Sequence, residues 1–304
     1  MSEHKNESYN ILEFLIGGVA GAGATIFTNP IDVIKTRLQL QGELRARGQH
    51  ETLYRGIVHG LHVVAKTDGL LALQKGLIPA MMFNFAMNSV RLGLYSTADK
   101  HGWTRNEKGE IILSKTLAWS CLSGVLSGVA ANPVSIVKTR LQSAAHHTIA
   151  VGKQHHYAGT LDALKNIYKT QGIKGYFAGL NAISWRLAVG SMAQLTTFST
   201  AKDSLKSRGI CVDSPTCLAF LASMVCGVVV AAGMCPLDVV TTRLYNQGTG
   251  GERLYNGVLD CMIKITKSEG FLGLYKGVGP LYLRIAPHTT LSLLIWDRLN
   301  SIIK

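Results

Sequence analysis

The stretch PIDVIKTRLQ at residues 30–39 decides the fold, because the chain repeats it twice. The copies are PVSIVKTRLQ at residues 133–142 and PLDVVTTRLY at residues 236–245, each 103 residues after the one before. Three glycines follow every copy, always 13 and then 7 residues apart: Gly56, Gly69 and Gly76, then Gly159, Gly172 and Gly179, then Gly257, Gly270 and Gly277. A register that is kept three times predicts a chain of three tandem repeats.

Long apolar runs indicate that the repeats lie in a membrane. The chain has 304 residues, and 47% of them are hydrophobic. Six segments of roughly 20 residues are long enough to cross the ~30 Å hydrocarbon core, two in each repeat: 11–29, 78–95, 112–131, 180–198, 216–235 and 279–296. We therefore predict an all-α membrane protein with six transmembrane helices in three two-helix repeats and pseudo-three-fold symmetry. The repeats occupy residues 1–102, 103–205 and 206–304 and form one integral domain.

Small residues recur four apart in the first, third and fifth segments, which predicts close contact between helices. They stand at equivalent positions: Gly17, Gly21 and Thr25, then Ser120, Gly124 and Gly128, then Ser223, Gly227 and Ala231. Each of these segments ends at the proline of its motif. A proline inside a helix removes one hydrogen bond and kinks the axis, so we expect the three motif ends to converge.

Charge and cysteine usage exclude several kinds of partner. Lys and Arg outnumber Asp and Glu by 31 to 18, largely in the loops after the motifs, which favours contact with anionic lipid. No basic strip is interleaved with exposed aromatic residues, so nucleic acid is not expected as a partner. The histidines of residues 146–156 lack fixed spacing and acidic companions, and none of the six cysteines forms a CxxC pair. We therefore predict no metal, no cofactor and no disulfide.

The charged motif residues predict a ring at the converging helix ends. Around a three-fold axis, the acid of one repeat can reach the base of another, which joins Asp32 to Lys138 and Asp238 to Lys35. The third position would join Ser135 to Thr241, where both charges are missing together. A ring explains this joint loss, whereas the alternative is a set of ordinary charges at the membrane surface.

Glycines begin the second half of each repeat and predict lipid contact. Helix N-termini attract anions through free N–H groups and the helix dipole. A glycine at the start lets a lipid phosphate approach the backbone, and cardiolipin is the expected ligand. The predicted lipid positions are Gly56, Gly76, Gly159, Gly179, Gly257 and Gly277.

Residues that break the three-fold pattern mark the expected site for a small asymmetric solute. Seven residues after Gly76, Gly179 and Gly277 lie Phe83, Arg186 and Arg284; fifteen residues after them lie Arg91, Gln194 and Ser292. These positions are roughly 10 and 22 Å along each helix, inside the membrane. An Arg at mid-membrane costs at least ~2.5 to 3.5 kcal/mol on insertion scales, so each one needs a reason.

An anionic solute supplies that reason, because a guanidinium matches a carboxylate or sulfate with two charge-assisted hydrogen bonds. We expect Arg186 and Arg284 to bind it. Arg91 is open between a solute contact and a structural role. For the remaining candidates the sequence leaves two roles open, solute contact and hydrogen bonding across helices: Asn84, Asn88, Gln194 and His288.

The motifs resemble those of the mitochondrial carrier family. That family carries P-x-[D/E]-x-x-[K/R]-x-[K/R], followed after a loop by [D/E]-G-x-x-x-x-[aromatic]-[K/R]-G. The first repeat matches through Pro30, Asp32, Lys35, Arg37, Asp68, Gly69, Lys75 and Gly76, and the likeness runs from about residue 10 to 302. The second repeat departs at Ser135, Gln171 and Ala178, and the third at Thr241. The strings at residues 88–95, 243–247 and 284–289 resemble the branch with the fungal oxaloacetate carrier.

The resemblance implies a monomeric transporter, not an enzyme, in the inner mitochondrial membrane, with both termini towards the intermembrane space. The ring of Asp32, Lys35, Ser135, Lys138, Asp238 and Thr241 is then the matrix gate. We expect alternating access exchange of a small di- or oxocarboxylate, such as oxaloacetate, or of a divalent inorganic anion such as sulfate. Alternatives are a proton or fatty-acid-anion leak protein of the same fold and a membrane adaptor or enzyme.

Overall fold

The structure, a computed structural model, describes residues 2–45, 51–100, 102–103, 113–210, 214–248 and 253–303. The described residues form six long helices: α1 (Ser2–Leu40), α3 (Leu77–Lys100), α4 (Leu113–Ser143), α6 (Leu180–Ser207), α7 (Pro215–Asn246) and α9 (Val278–Ile303). A short helix separates each pair: α2 (Ile57–Thr67), α5 (Thr160–Tyr176) and α8 (Val258–Glu269). The described residues contain no strand, and the order long, short, long occurs three times.

The long helices close into a ring in chain order. Each packs on the next, α1 on α3, α3 on α4 and so on, and α9 returns to α1. Helices α1, α4 and α7 also contact one another, so they line the centre. This is the predicted six-helix arrangement with pseudo-three-fold symmetry. We call the end with the motifs and the short helices the motif end.

Helices α1, α4 and α7 continue through their prolines, so they are longer than the predicted segments. Pro30, Pro133 and Pro236 are interior residues, and each helix runs at least nine residues further. The residues beyond the proline are buried between helices, as Val33, Ile136 and Val239 are. Burial of this apolar face stabilises a helical turn that proline alone disfavours.

Close helix contacts occur where the small residues predict them. A Cβ built on Gly21 would lie 2.5 Å from Nδ2 of Asn88 in α3. One on Gly128 would lie 2.8 Å from Cδ1 of Leu187 in α6, and one on Gly227 would lie 3.3 Å from Cε2 of Tyr282 in α9. The glycines therefore allow the central helices to approach their neighbours.

The bundle is apolar outside and polar inside, as a lipid-embedded protein requires. Large apolar side chains such as Phe27 and Trp185 are exposed, whereas Asn29, Asp32 and Arg37 are buried. Within the described residues, three segments are both long and apolar enough to cross a membrane: Leu70–Val90, Ser114–Ser143 and Phe220–Asn246.

The cysteines follow the prediction with one exception. Cys226, Cys235 and Cys261 are free and buried, as expected of small hydrophobic residues. Cys217 instead forms a disulfide, so the prediction of no disulfide is wrong there. The prediction rested on the absence of a CxxC pair and on the position of most cysteines in apolar helices, and neither reports which thiols the fold brings together.

Candidate functional site

Two ion pairs join the repeats at the centre of the motif end, and both were predicted. Lys138 Nζ lies 2.8 Å from Asp32 Oδ2, linking repeats 1 and 2. Lys35 Nζ lies 2.7 Å from Asp238 Oδ2, linking repeats 1 and 3. Both carboxylates are buried, so the loss of either lysine would leave a buried charge without this partner, which is costly.

The third position of the ring, between repeats 2 and 3, is neutral. The Thr241 hydroxyl donates to the Leu237 carbonyl of its own helix at 2.7 Å, so its proton is not available to Ser135. The hydroxyl of Tyr245 in repeat 3 instead donates to Asn132 Oδ1 in repeat 2. A neutral hydrogen bond thus replaces the ion pair in this sector.

Arg186 in α6 and Arg284 in α9 contact the same two carboxylates. Arg186 Nη1 lies 3.1 Å from Asp238 Oδ1, and Arg284 Nε lies 3.1 Å from Asp32 Oδ1. Each ring carboxylate therefore lies between one lysine and one arginine. The cluster holds four cations, the two lysines and two arginines, against two carboxylates, so its net charge is +2.

Phe83 and Asn84 in α3 lie beside this cluster but differ in their contacts. Lys138 Nζ is 5.5 Å from the centroid of the buried Phe83 ring, a cation–π contact. Asn84 Nδ2 donates to Thr25 Oγ1 at 2.7 Å and to the Ala80 carbonyl at 3.1 Å. Because the donors of Asn84 are occupied, the geometry favours hydrogen bonding across helices, and solute contact by Asn84 stays a prediction.

The other predicted solute contacts lie further from the ring. His288 Nδ1 is 3.3 Å from Thr28 Oγ1, one helical turn beyond the contact between Arg284 and Asp32. Asn88 packs on Gly21 of α1, and the Gln194 side chain is exposed. Arg91 belongs to α3, but its side chain lies outside the described residues. Their roles stay predictions.

Two glutamines to which the sequence assigned no role form hydrogen bonds next to the ring. Gln39 Nε2 donates to Asp238 Oδ2 at 2.7 Å, and its Oε1 accepts from Thr242 Oγ1 at 2.7 Å. Gln142 Nε2 donates to Asn29 Oδ1 at 3.0 Å. Tyr245 occupies the equivalent place in repeat 3. All three stand nine residues after the motif proline, and this shared position is the signal that could have identified them.

The last motif arginine of each repeat donates a hydrogen bond to a backbone carbonyl of the next repeat. Arg37 Nε donates to the Gln142 carbonyl at 3.4 Å, Arg140 Nε to the Tyr245 carbonyl at 3.0 Å, and Arg243 Nε to the Gln39 carbonyl at 3.2 Å. This cycle has the same three-fold order as the ring. It supports the motif end in every sector, including the neutral one.

Two of these arginines also bind an acid at the end of their own short helix. Arg37 Nη2 is 3.1 Å from Asp68 Oδ2, and Arg243 Nη2 is 2.9 Å from Glu269 Oε2. Burial acts to raise the pKa of Asp68, but hydrogen bonds from the His146 amide and from Arg37 outweigh it and hold the pKa below its usual value. The same balance, with Arg243 and Lys276 as donors, lowers the pKa of Glu269.

The glycines at the helix starts fall into two groups. Gly76, Gly179 and Gly277 have positive φ, and a Cβ on Gly76 would lie 2.9 Å from Gln142 Cγ. Tyr245 and Gln39 crowd Gly179 and Gly277 in the same way, so packing already requires these glycines. Open space surrounds the other group, and no side chain caps their helices: Gly56, Gly159 and Gly257. Lipid binding at either group stays a prediction.

Comparison with known proteins agrees with this architecture. The profile of the family described as "Mitochondrial carrier protein" matches residues 6–106, 110–209 and 213–304. The chain is 43% identical to mouse (Mus musculus) solute carrier family 25 member 35 over 293 residues, which cover 95% of this chain and 98% of that protein.

Two fungal proteins are also similar. The mitochondrial oxaloacetate transport protein of Saccharomyces cerevisiae is 38% identical over 290 residues, 94% of this chain and 87% of that protein. Mitochondrial citrate transporter E of Aspergillus niger is 36% identical over 293 residues, 96% of this chain and 93% of that protein. The chain therefore belongs to the mitochondrial carrier family, as a multi-pass transporter of small metabolites in the inner mitochondrial membrane and not an enzyme.

Proposed function

We propose that this carrier exchanges small divalent anions, either di- or oxocarboxylates such as oxaloacetate or inorganic anions such as sulfate. The observation that carries the proposal is the net charge of +2 on the buried cluster around Asp32 and Asp238. A dianion neutralises this excess, whereas a monoanion leaves one positive charge unpaired and a trianion adds a negative one. Buried charge without a partner is costly.

The contacts of Arg186 and Arg284 suggest how binding opens the motif end. A guanidinium that turns towards the substrate weakens its ion pair with Asp238 or Asp32. Hydrogen bonds to charged groups contribute about 1.5–3 kcal/mol each. The ring then rests on its two lysine contacts alone, so the substrate supplies the differential binding that alternating access requires.

We further propose that the motif end faces the matrix and that the ring is the matrix gate. Both termini then lie in the intermembrane space, and the carrier works as a monomer. Anionic lipid, with cardiolipin as the expected ligand, binds the helix N-termini at Gly56, Gly159 and Gly257, whose uncapped starts support the proposal. The equivalent starts at Gly76, Gly179 and Gly277 are the second lipid positions.

The names of the two fungal relatives bear on the choice of substrate. One relative is named for oxaloacetate, a dianion at neutral pH, and the other for citrate, which is mostly a trianion. The charge of the cluster favours the dianion. We therefore expect oxaloacetate and sulfate to exchange faster than citrate.

Uptake into proteoliposomes tests this function. The purified carrier is reconstituted, and uptake of labelled oxaloacetate, sulfate, citrate and a monocarboxylate is measured with and without unlabelled anion inside. We expect rapid uptake of dianions only when a counter-anion is present. Equal uptake without a counter-anion would instead indicate a leak protein, and preference for mono- or trianions would contradict the charge argument.

A further inference from the structure

We propose that residues 144–157, which we call the strap, form a second barrier across the motif end that must lift before the carrier opens. The strap follows α4 in repeat 2 and contacts both other repeats. The inference rests on the proposed function, since it assumes that the motif end opens during exchange. It concerns contacts beyond the ion-pair ring and the glutamines.

The strap is seated on repeat 1 by apolar burial and by hydrogen bonds. Ile149 and Val151 are buried, each only 6% exposed, in the cluster that contains Leu40 and Tyr54. The Tyr54 hydroxyl donates to the Ile149 carbonyl at 2.7 Å. At the start of the strap, Arg37 Nη2 donates to the Ala144 carbonyl at 2.8 Å. A surface loop that buries two aliphatic side chains is stabilised in one position.

The same strap is attached to repeat 3 through Asn246, the last residue of α7. Asn246 Nδ2 donates to the Lys153 carbonyl at 3.1 Å, and Nε2 of His155 lies 3.0 Å from the Asn246 carbonyl, which can only accept. Ser143, just before the strap, donates from Oγ to Asn246 Oδ1 at 2.9 Å. These contacts lie in the sector where the ring has no ion pair.

Gly152 stands at the point where the strap touches both repeats. Its φ is +64°, and a Cβ there would lie 2.7 Å from Asn246 Nδ2 and 3.2 Å from Leu40 Cβ. Only a glycine allows the backbone to pass this closely between the ends of α7 and α1. Separation of α1 from α7 therefore requires the strap to leave at least one of them.

The strap behaves as a preformed unit rather than as a loose loop. Gln154 Oε1 accepts from the Ala145 amide at 2.9 Å, and Nε2 of the same side chain donates to the Val151 carbonyl at 2.8 Å. These bonds join the beginning of the strap to its end. The strap can thus leave one repeat without unfolding, as a movable barrier requires.

A reversible cross-link tests whether the strap must lift. The built Cβ of Gly152 is 3.2 Å from Leu40 Cβ, near the Cβ separation of about 3.8 Å in disulfides. We expect the double variant Leu40→Cys with Gly152→Cys to lose oxaloacetate exchange at least tenfold on oxidation and to recover it on reduction. The two single variants, treated with the same oxidant, control for the native cysteines.

Two results overturn the proposal. One is a disulfide that forms, as mass spectrometry shows, while the oxidised carrier exchanges as fast as the same variant does after reduction. The other is failure of the bond to form in a double variant that exchanges at the parental rate before oxidation, because the strap then does not lie against Leu40.

A pair of glycine variants gives an answer that does not depend on transport. Gly152→Ala and Gly209→Ala both place a Cβ at a positive φ, +64° and +68°, but nothing lies within 4 Å of the Cβ at Gly209. We expect Gly152→Ala to lower the unfolding temperature by about 2–4 °C more than Gly209→Ala. Equal changes in unfolding temperature would show that the strap does not pack between α1 and α7 and would overturn the proposal. A parent carrier that exchanges no anion would contradict the proposed function alone.

Discussion

The interface between repeats 1 and 2 and the interface between repeats 2 and 3 occupy equivalent places but use different chemistry. The first has the ion pair of Asp32 with Lys138, and Asp68 of repeat 1, which also binds Arg37, accepts a hydrogen bond from the His146 amide of repeat 2. The second has Ser135 and Thr241 in its ring, with Gln171 and Ala178 where the first repeat has Asp68 and Lys75. At the ring position, an ionic contact between repeats 1 and 2 thus corresponds to a neutral one between repeats 2 and 3, which are joined instead by the ion pair of Arg186 with Asp238.

These losses occur in α4, α5 and α7 and in the connection between α5 and α6, so they describe a property of the whole sector. Neutral contacts are found in this sector: Tyr245 bonds Asn132, and the strap bonds Asn246. Arg140 keeps the tyrosine contact that Arg37 also makes, at 3.0 Å to the Tyr157 hydroxyl against 3.2 Å to that of Tyr54, but Gln171 stands in place of its acid. The difference teaches that a closed motif end needs contacts in all three sectors but lysine–aspartate ring pairs in only two. Arg186 of repeat 2 and Arg284 of repeat 3 contact the carboxylates of these two ring pairs.

The largest expected effect comes from removing an arginine shared by the ring and the substrate. Arg186→Ala or Arg284→Ala should slow oxaloacetate exchange at least about 100-fold, because each loses charge-assisted bonds of roughly 3 kcal/mol. Arg186→Lys and Arg284→Lys serve as controls that keep the charge and should retain part of the activity. Near-parental exchange by either alanine variant, at normal expression, would show that its arginine is not a substrate anchor.

Charge reversal tests an ionic sector directly. Lys35→Asp places two carboxylates together and should slow exchange more than about tenfold, since a broken buried pair is strongly destabilising. Adding Asp238→Lys restores opposite charges but sets the new lysine beside Arg186, which contacts residue 238 at 3.1 Å. We therefore expect partial recovery in proteoliposome assays. No recovery, with both variants folded, would remove the pairing.

Installing an ion pair in the neutral sector should make the two kinds of sector alike. Ser135→Asp together with Thr241→Lys places the new charges at two buried positions, where their attraction must offset the removal of both from water. We expect the double variant to unfold about 2–4 °C higher, which corresponds to ~1 kcal/mol, and to turn over more slowly. Each single change leaves an unpaired charge and should not stabilise the carrier. If the double variant melts no higher than the singles, the two positions do not meet across the sector.

The smallest effect concerns pH and the strap. Burial lowers the pKa of His155 from its usual value to about 4, so the unfolded chain binds a proton more readily than the folded carrier. Stability from this group is complete above about pH 6.5 and falls as the pH drops towards 4. Between pH 7.5 and 5.5 we expect a loss of about 1 kcal/mol that His155→Asn reduces.

Thermal unfolding at the two pH values measures this loss, with His156→Asn as a control on an exposed neighbour. The control should keep the pH dependence of the parent. If His155→Asn lost as much stability as the parent between the two pH values, the burial of the His155 imidazole would not be the source of the pH dependence.

The sequence could predict the parts that follow from symmetry. A repeat in fixed register places Asp32 opposite Lys138 and Asp238 opposite Lys35, because a three-fold axis leaves few other arrangements. The contacts of Arg186 and Arg284 with the ring could not be predicted, since they depend on the relative depth of helices from different repeats. The strap was predicted only as a loop, because the polar residues around Ile149 and Val151 conceal their burial.

Competition between the ring and the substrate for Arg284 is the central claim, and equilibrium binding tests it most directly. Asp32→Asn frees Arg284, whereas Thr241→Lys also adds one positive charge to the ring but frees no arginine. Dissociation constants for oxaloacetate and sulfate are measured by calorimetry in detergent for the parent and both variants. We predict that Asp32→Asn binds both anions several-fold more tightly than Thr241→Lys does. Equal tightening in the two variants, or none in Asp32→Asn, would contradict the account.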